Sequence, residues 1–454
     1  MKKIKKTVSF LLLGALLGGL GLGLAACAPR DEVIKIATWE AYTDVDYVKD
    51  NFPAFYEAAT GKKIKRNNVK ISTFASNEEL YEKLTKKKVD YDVICPSDYM
   101  AQRLMAEGML AELDKSVVKG YDTLIEPAIL EMTKVYDEEH KYTLPYAWGT
   151  FGILYNSKKV TESDMESWNA LWNKKPDGTA DAAYNNKIWI KNSERDVFAL
   201  ANIYNNIPGL SAASDTFTNY DNPEYQTLLK EMFEKYDAAT LEKAKTALIK
   251  QKEVIYKYEE EEAKESLGDN KDEAYLSFCW SCDAGYAMQK NPDLRYSIPK
   301  EGGNVYVDCF VISKNAGNPA AAQQFMAFLL DKDTAYANTM MNGASGTVIA
   351  ANAQIKEDLE TMIADNTDFM KDTTEAFQKS YMYTVVFPNE NQDDDILARC
   401  ASMTDYGEEV NSDVAKMFAS VKTEKGGGCK NGTAAIFAAL TIVAAAVMVV
   451  KRKG

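Results

Sequence analysis

The sequence predicts an α/β protein built on an open sheet, and three observations support this. A β-type run at residues 33–39 opens the body of the chain. Apolar residues at helical spacing follow over 45–59, and a glycine stands at position 61. A second unit, with a strand at 91–95 and a helix at 100–107, repeats the pattern. Strand–helix units in series indicate an open α/β sheet whose ligand-facing loops lie at the carboxyl ends of its strands.

Capping signals mark further helices. Ser76 and Glu79 form a capping box, so a helix is expected to begin after Ser76. Asn318 before Pro319 combines a helix cap with a proline in the first turn, and a strand is expected just upstream at 305–312. The chain therefore continues the alternation of strand and helix beyond residue 300.

The middle region, from about residue 150 to 300, has strands and helices of its own. Residues 237–265 form a highly charged stretch that is interpreted as one long helix. Its acidic run, Glu259 to Glu262, is interpreted as a solvated helix face. The body of the chain is long enough for two domains with real hydrophobic cores.

The N-terminus predicts export. Four lysines within the first six residues precede an apolar stretch at 8–24 and the small residues Ala25 and Ala26. This is the pattern of a secretory signal peptide. Because Cys27 stands where the mature chain would begin, the arrangement resembles a bacterial lipoprotein signal in which Cys27 receives the lipid. An uncleaved N-terminal anchor is the alternative.

The C-terminus carries a second apolar segment. A glycine-rich linker at 423–433 leads to residues 434–450, which carry no charge, and a basic end follows at 451–454. Two interpretations remain open. The segment is either a membrane helix that leaves the basic end in the cytoplasm or a sorting signal that a protease removes.

Charge and histidine content exclude several classes of function. The net charge is −14, which argues against nucleic acid and anionic lipid as partners and favours cations. The single histidine, His140, lies in a charged segment and is expected at the surface. Histidine-dependent hydrolases and most catalytic zinc sites are thereby disfavoured. We predict no catalytic residue, no cofactor and no metal site.

Cysteines are few. Cys279 and Cys282 form a C-x-x-C motif, but the chain has no second pair at zinc-binding spacing. We interpret the two thiols as structural or incidental, and a disulfide or redox role remains the alternative.

Aromatic and acidic side chains recur at the predicted strand ends and inter-lobe crossings. If these positions converge, they form a slot for an extended organic cation, because aromatic faces attract ammonium groups and carboxylates neutralise them. The candidate ligand-binding residues are Trp39, Tyr42, Ser97, Asp98, Tyr99, Asp196, Trp280, Asp283, Tyr306 and Asp308.

Several colinear segments resemble the spermidine/putrescine-binding proteins, the substrate-binding components of bacterial polyamine ABC transporters. The segments are IATWEAY at 36–42, YDVICPSDY at 91–99, LPYAWGTFGI at 144–153, SWNALW at 167–172, RDVF at 195–198 and SIPKEGG at 297–303, followed by Asp308. The resemblance implies a type II periplasmic-binding-protein clamshell that holds a polyamine between two lobes. Ala41 and Ser193 stand where the family carries acids, so the choice between putrescine and spermidine stays open.

The resemblance also assigns roles and boundaries. Trp39, Trp280 and Tyr306 would line the polyamine stem, and Asp196 and Asp308 would take ammonium groups. Asp283 matches an acid of putrescine-preferring members. The expected partners are a permease with its ATPase, which the resemblance implies, and the membrane, which the chain would meet through the lipid on Cys27 and, if it is retained, through the 434–450 helix. The expected segments are a signal at 1–27, an N-terminal lobe at 28–147 and 306–345, and a C-terminal lobe at 148–305 and 346–422.

The resulting hypothesis is a monomeric, lipid-anchored, extracytoplasmic binding protein that feeds an ABC importer. The nearest alternative is the same fold with another amine or an amino-acid-like ligand. An extracellular carboxylate-based hydrolase and a surface adhesin are more distant alternatives.

Overall fold

A computed structural model describes residues 32–392 and 394–424. The signal segment with Cys27 and the C-terminal apolar segment lie outside these residues. The strands are β1 (Glu32–Trp39), β2 (Ile64–Phe74), β3 (Val93–Ile94), β4 (Leu110–Ala111), β5 (Thr143–Asn156), β6 (Ile188–Lys191), β7 (Lys257–Glu259), β8 (Leu276–Trp280), β9 (Leu294–Ser297), β10 (Gly303–Ser313), β11 (Ser345–Gly346) and β12 (Cys400–Ala401).

Helices cover the strands and connect them. They are α1 (Val45–Thr60), α2 (Asn77–Thr85), α3 (Asp98–Ala106), α4 (Tyr121–Leu124), α5 (Pro127–Thr133), α6 (Glu194–Ala213), α7 (Pro223–Glu234), α8 (Ala238–Lys252), α9 (Glu262–Gly268), α10 (Ser281–Met288), α11 (Pro319–Leu329), α12 (Lys332–Asn342), α13 (Ile349–Asp365), α14 (Glu375–Ser380) and α15 (Glu408–Thr423). Within the described part of the chain, no helix is long and apolar enough to cross a membrane.

Two long strands, β5 and β10, connect the two halves of the molecule. The strand order is β2-β1-β3-β10-β5-β8-β6-β7. The first half of β5 pairs with β10 and β11, and its second half pairs with β8 and β9. All of β5 is buried, because it has sheet neighbours and packed layers along its whole length.

The hydrophobic residues form separate cores on either side of this crossing. We call the part packed around Phe52, Phe310 and Phe325 the first lobe. The part packed around Phe151, Phe198 and Phe278 is the second lobe. Buried aromatic residues contribute to both cores, and the two long strands carry one continuous sheet from the first lobe into the second.

The helix starts predicted from capping signals are confirmed. Ser76 Oγ accepts a hydrogen bond from the Glu79 backbone N–H at 3.1 Å, and Asn318 Oδ1 accepts one from Ala321 at 3.1 Å. Gly61 ends α1 in the left-handed conformation, with φ of 71°, which glycine adopts without the steric cost other residues bear.

Three local predictions are wrong. Residues 237–265 are not one helix, because β7 separates α8 from α9 and pairs with β6. Glu259 in β7 is buried and accepts a hydrogen bond from the Ala263 backbone, so it is not part of a solvated face. His140 is also buried, where its ring packs near Tyr121 and Nε2 lies 2.9 Å from the Leu130 carbonyl oxygen.

Candidate ligand-binding site

The candidate residues lie where the elements of the two lobes meet. Trp39 ends β1, Tyr42 follows it, Ser97 precedes α3, Asp98 and Tyr99 begin α3, Asp196 lies in the first turn of α6, Trp280 ends β8, Asp283 lies in α10, and Tyr306 and Asp308 lie in β10. The site therefore draws side chains from both lobes and from one of the two strands that connect them.

Asp308 is the best-defined acid of the site. It is buried, and its Oδ2 accepts a hydrogen bond from the Tyr42 hydroxyl at 2.7 Å. Among residues 32–392 and 394–424, no group donates a hydrogen bond to its Oδ1. Desolvation raises the pKa of Asp308 to about 6, although hydrogen bonds from Ser97 and Tyr42 oppose the shift. A buried carboxylate oxygen without a donor favours the arrival of a cation.

Asp98 is a second buried acid close to Asp308. Its Oδ1 accepts a hydrogen bond from the Tyr99 backbone N–H at 2.7 Å, and its Oδ2 lies 3.4 Å from the Val307 backbone N. Desolvation raises the pKa of Asp98 to about 7, and the nearby charge of Asp308 adds to the shift. Asp98 therefore ties α3 to β10 and adds negative potential beside Asp308.

Asp196 brings an acid from the second lobe. Its Oδ2 accepts a hydrogen bond from the indole N–H of Trp280 at 2.9 Å. Burial raises the pKa of Asp196, and its charge in turn raises the pKa of Asp308. None of the ion pairs found among the described residues involves Asp98, Asp196 or Asp308. The three acids therefore form no ion pair in this part of the chain, although the positive charge of Arg195 acts to lower the pKa values of Asp98 and Asp196.

Aromatic side chains surround these acids. Trp39 is half-buried against Phe74, with ring centroids 4.8 Å apart, and within the described chain its indole N–H has no acceptor. Tyr306 lies beside Gly149, where a Cβ atom would come within 2.7 Å of the Tyr306 hydroxyl and 2.2 Å of the Ser281 Oγ. Glycine is therefore required at position 149 for β5 to pass this close to the site.

Asp283 differs from the other acids. Its Oδ2 lies 3.0 Å from Lys191 Nζ, and its Oδ1 lies 2.9 Å from Lys264 Nζ. Desolvation alone would raise the pKa of Asp283, but the two ammonium groups hold it below its usual range. The structure thus pairs Asp283 with lysines of its own lobe. Sequence reasoning missed these lysines, although Lys191 ends an apolar strand and had to be buried near an acid.

An arginine joins the two lobes across the site. The Arg195 guanidinium carbon lies 3.8 Å from the ring centroid of Tyr99 in the first lobe and 4.2 Å from that of Tyr406. Next to it, the Asp405 backbone N–H donates to Gln102 Oε1 in α3 at 3.0 Å. The segment from 404 to 411 therefore takes part in the contact between the lobes. No sequence signal marked this segment as part of the site.

The thiols do not form a redox pair. Cys279 and Cys282 are both free. Burial raises the pKa of the Cys282 thiol to about 12, and the pKa of Cys279 is also raised well above its usual value by burial. Thiols that stay protonated are poor nucleophiles. Cys282 instead accepts a hydrogen bond from the Tyr306 hydroxyl at 3.7 Å.

The arrangement of acids and rings suits binding rather than catalysis or metal coordination. Within the described residues, no cluster of three or more His, Cys, Asp or Glu side chains could hold a metal ion. Tyr42 contacts Asp308 and Trp280 contacts Asp196, so these two acids each have an aromatic neighbour, and an organic cation is attracted to both carboxylates and π faces.

The comparison with family models identifies the class of protein. Residues 54–371 match the model of the bacterial extracellular solute-binding proteins. The chain belongs to this family. It is therefore a solute-binding component that works outside the cytoplasm and is not an enzyme.

Individual relatives agree with the resemblance seen in the sequence. The chain is 29% identical over 319 residues to the spermidine/putrescine-binding periplasmic protein of Salmonella typhimurium, an alignment that covers 70% of this chain and 78% of the relative. It is 25% identical over 341 residues to the putrescine-binding periplasmic protein PotF of Escherichia coli, with 72% and 80% covered. The predicted family resemblance is confirmed.

Solved structures confirm the fold. A putative spermidine/putrescine ABC transporter protein from Listeria monocytogenes superposes with a TM-score of 0.63 at 23% identity, covering 87% of this chain and 100% of that one. The spermidine/putrescine substrate-binding protein PotD from Streptococcus pneumoniae gives a TM-score of 0.59 at 22% identity, with 87% and 99% covered. The predicted two-lobed binding-protein fold is therefore present.

Proposed function

We propose that this protein binds a polyamine, putrescine or spermidine, between its two lobes and delivers it to an ABC importer. The observation that carries the proposal is the buried Oδ1 of Asp308, which no donor within the described chain reaches. A ligand ammonium group placed there would give the Asp308 carboxylate a cationic partner that the protein itself does not supply.

The surroundings of Asp308 favour a cation with a long apolar stem. Asp196 supplies a second acid from the opposite lobe, and Trp39, Trp280 and Tyr306 are the rings that the family resemblance assigns to the polyamine stem. Methylene groups pack on such rings, and ammonium groups are attracted to their faces. Relatives named for binding spermidine and putrescine support the same ligand class.

We further propose that binding stabilises a closed state. The contact between Arg195 and Tyr99 spans the cleft, and β5 and β10 are the strands about which the lobes would rotate. The lobes would extend over 28–147 with 306–345 and over 148–305 with 346–422. A permease with its ATPase would recognise the closed form, so that the ligand acts by shifting a population of conformations.

Location follows from the sequence at the two ends. We propose that lipid on Cys27 holds a monomeric chain at the outer face of the cytoplasmic membrane. The apolar segment at 434–450 either adds a second anchor or is removed during sorting. Mass spectrometry of the protein extracted from membranes distinguishes these fates, because each predicts a different C-terminus.

Calorimetry tests the ligand directly. The full chain in detergent is titrated with putrescine, spermidine, cadaverine and arginine. We expect saturable heat with the polyamines at micromolar concentration or below and none with arginine, whose carboxylate would meet the acids of the cleft. Absence of binding by every polyamine overturns the proposal, and binding of arginine alone favours an amino-acid-like ligand.

A further inference from the structure

A second group of charges lies beside Trp280, separate from the three unpaired acids. We call it the Lys191 cluster, and it consists of Lys191, Lys264, Asp283, Glu259 and Glu261. Lys191 Nζ lies 3.0 Å from Asp283 Oδ2 and 3.0 Å from Glu261 Oε1. Lys264 contacts the same two acids. Lysines of the protein, and not a ligand, therefore neutralise the acids of this cluster.

The sheet register places Lys191 at the cleft. Strands β6 and β8 are parallel neighbours, and Ile190 pairs with Phe278. The carboxyl ends of both strands therefore lie at the same edge of the sheet, with Lys191 one residue past this pair and Trp280 two residues past it. The side chain of Lys191 is only 5% exposed, so its position is set by packing and not by solvent.

Lys191 occupies one face of Trp280. Its Nζ lies 4.7 Å from the centroid of the Trp280 ring, within the range of a cation–π contact. The indole N–H of the same ring donates to Asp196. At its N–H edge Trp280 thus has an acid that joins no ion pair within the described residues, and against its face it has an ammonium group of the protein.

This arrangement removes Asp283 from the charges available to a ligand. Two ammonium groups already neutralise it, and the pKa of Asp283 is correspondingly low. The Lys191 ammonium, held in place by Asp283 and Glu261, already occupies this face of Trp280, so a ligand ammonium cannot take the same position. Of the four acids predicted for the site, Asp308, Asp98 and Asp196 remain as acceptors for ligand charge.

We propose that Lys191 is a specificity-determining residue whose ammonium group takes the place of a ligand ammonium beside Trp280. The cleft is then restricted to ligands that carry two cationic groups at its other end, so a diamine such as putrescine binds better than the triamine spermidine. This inference rests on the proposed polyamine function and adds the choice of ligand to it.

The test compares binding of putrescine and spermidine by the wild-type chain and by two variants of the cluster. Lys191→Met removes the ammonium from Trp280 while Lys264 still pairs with Asp283. We expect the ratio of the spermidine dissociation constant to that of putrescine to fall at least tenfold. Lys264→Met is the matched control, because Lys264 contacts the ring of Tyr286 and not that of Trp280. For Lys264→Met, the ratio of the spermidine dissociation constant to that of putrescine should stay near the wild-type ratio.

Each outcome has a distinct meaning. A wild-type chain that binds spermidine more tightly than putrescine overturns the inference and leaves the polyamine function in place, whether or not the variants fold. An unchanged ratio in a Lys191→Met protein that melts as a folded protein also overturns it. If the wild-type chain binds neither amine, the proposed function itself fails. Lys191→Arg keeps the charge and should keep the preference for putrescine.

Discussion

Tyr42 and Asp308 are 266 residues apart in the sequence, yet the Tyr42 hydroxyl donates a hydrogen bond of 2.7 Å to Asp308 Oδ2. This bond fixes the orientation of the carboxylate and leaves Oδ1 as the free oxygen. The acid of β10 is thus prepared for a cation by a residue that follows β1. Charged groups held in advance of binding cost less to organise when the ligand arrives.

Replacing Asp308 with asparagine should weaken ligand binding without destabilising the folded protein. We expect Asp308→Asn to weaken putrescine binding by at least a hundredfold, about 3 kcal/mol, because a desolvated ammonium loses its charged partner. Calorimetry measures this loss. Asp413→Asn on the exposed side of α15 is the matched control and should bind as the wild type does.

The same variant should be more stable without ligand. The folded-state pKa of Asp308 is about 6, above the unfolded value of about 4, so the free protein loses stability as the pH rises from about 4 to about 6, and the loss is complete above that. At pH 8 the free energy of unfolding of Asp308→Asn should exceed that of the wild type by on the order of 2 kcal/mol. The difference should vanish near pH 4, and a difference that grew towards low pH would contradict this prediction.

Removing the Tyr42 hydroxyl should shift the titration of Asp308. In Tyr42→Phe the hydrogen bond that lowers the pKa of Asp308 is lost, so the pKa rises further and a smaller fraction of the acid is ionised at pH 7. We expect a loss in affinity of roughly tenfold at pH 7 that becomes smaller at pH 8.5. Titrations at both pH values measure it, with Tyr47→Phe on α1 as the control. A loss of affinity that does not change with pH would contradict this prediction, because it would show that the hydroxyl acts only through packing.

Binding by the wild-type chain should release protons. The free-state pKa values of Asp308 and Asp98 are about 6 and about 7, and a bound cation lowers both. Affinity is therefore expected to fall from pH 8 to pH 5, by up to roughly tenfold per unit for each acid that must ionise. Calorimetry in two buffers with different ionisation enthalpies counts the protons released. Equal heats of binding in the two buffers at pH 6.5 would contradict the prediction that binding releases protons.

The contact between Arg195 and Tyr99 should slow dissociation of the ligand. Its guanidinium contacts Tyr99 across the cleft, and each cation–π contact contributes about 1 kcal/mol. We expect Tyr99→Leu to speed ligand dissociation by roughly five- to tenfold with a smaller effect on association. Stopped-flow displacement measures both rates. Arg66→Ala, which removes an exposed arginine paired with Asp46 and Asp50, should change neither.

The candidate residues could be named from the sequence because strand ends and the strands that cross between the lobes carry a local signal. Trp39, Asp308 and Trp280 stand at recognisable places in the alternation of strands and helices, and colinear segments matched a family with a known ligand class. The misassignment of residues 237–265 has a simple cause. The strand β7 is only three residues long, and it forms because β6 offers an edge, which no local pattern reveals.

By itself, the sequence determined the α/β class and the residue types that could meet a cation, because these depend on periodicity, composition and short motifs. Only the tertiary structure decided which acids are unpaired. Residues 283 and 308 are both aspartates in the sequence, but parallel pairing of β6 with β8 brings the Lys191 ammonium to Asp283, while the uncharged hydroxyl of Tyr42 reaches Asp308. The partners of a buried charge come from distant segments, and their positions are set by the packing of the whole fold.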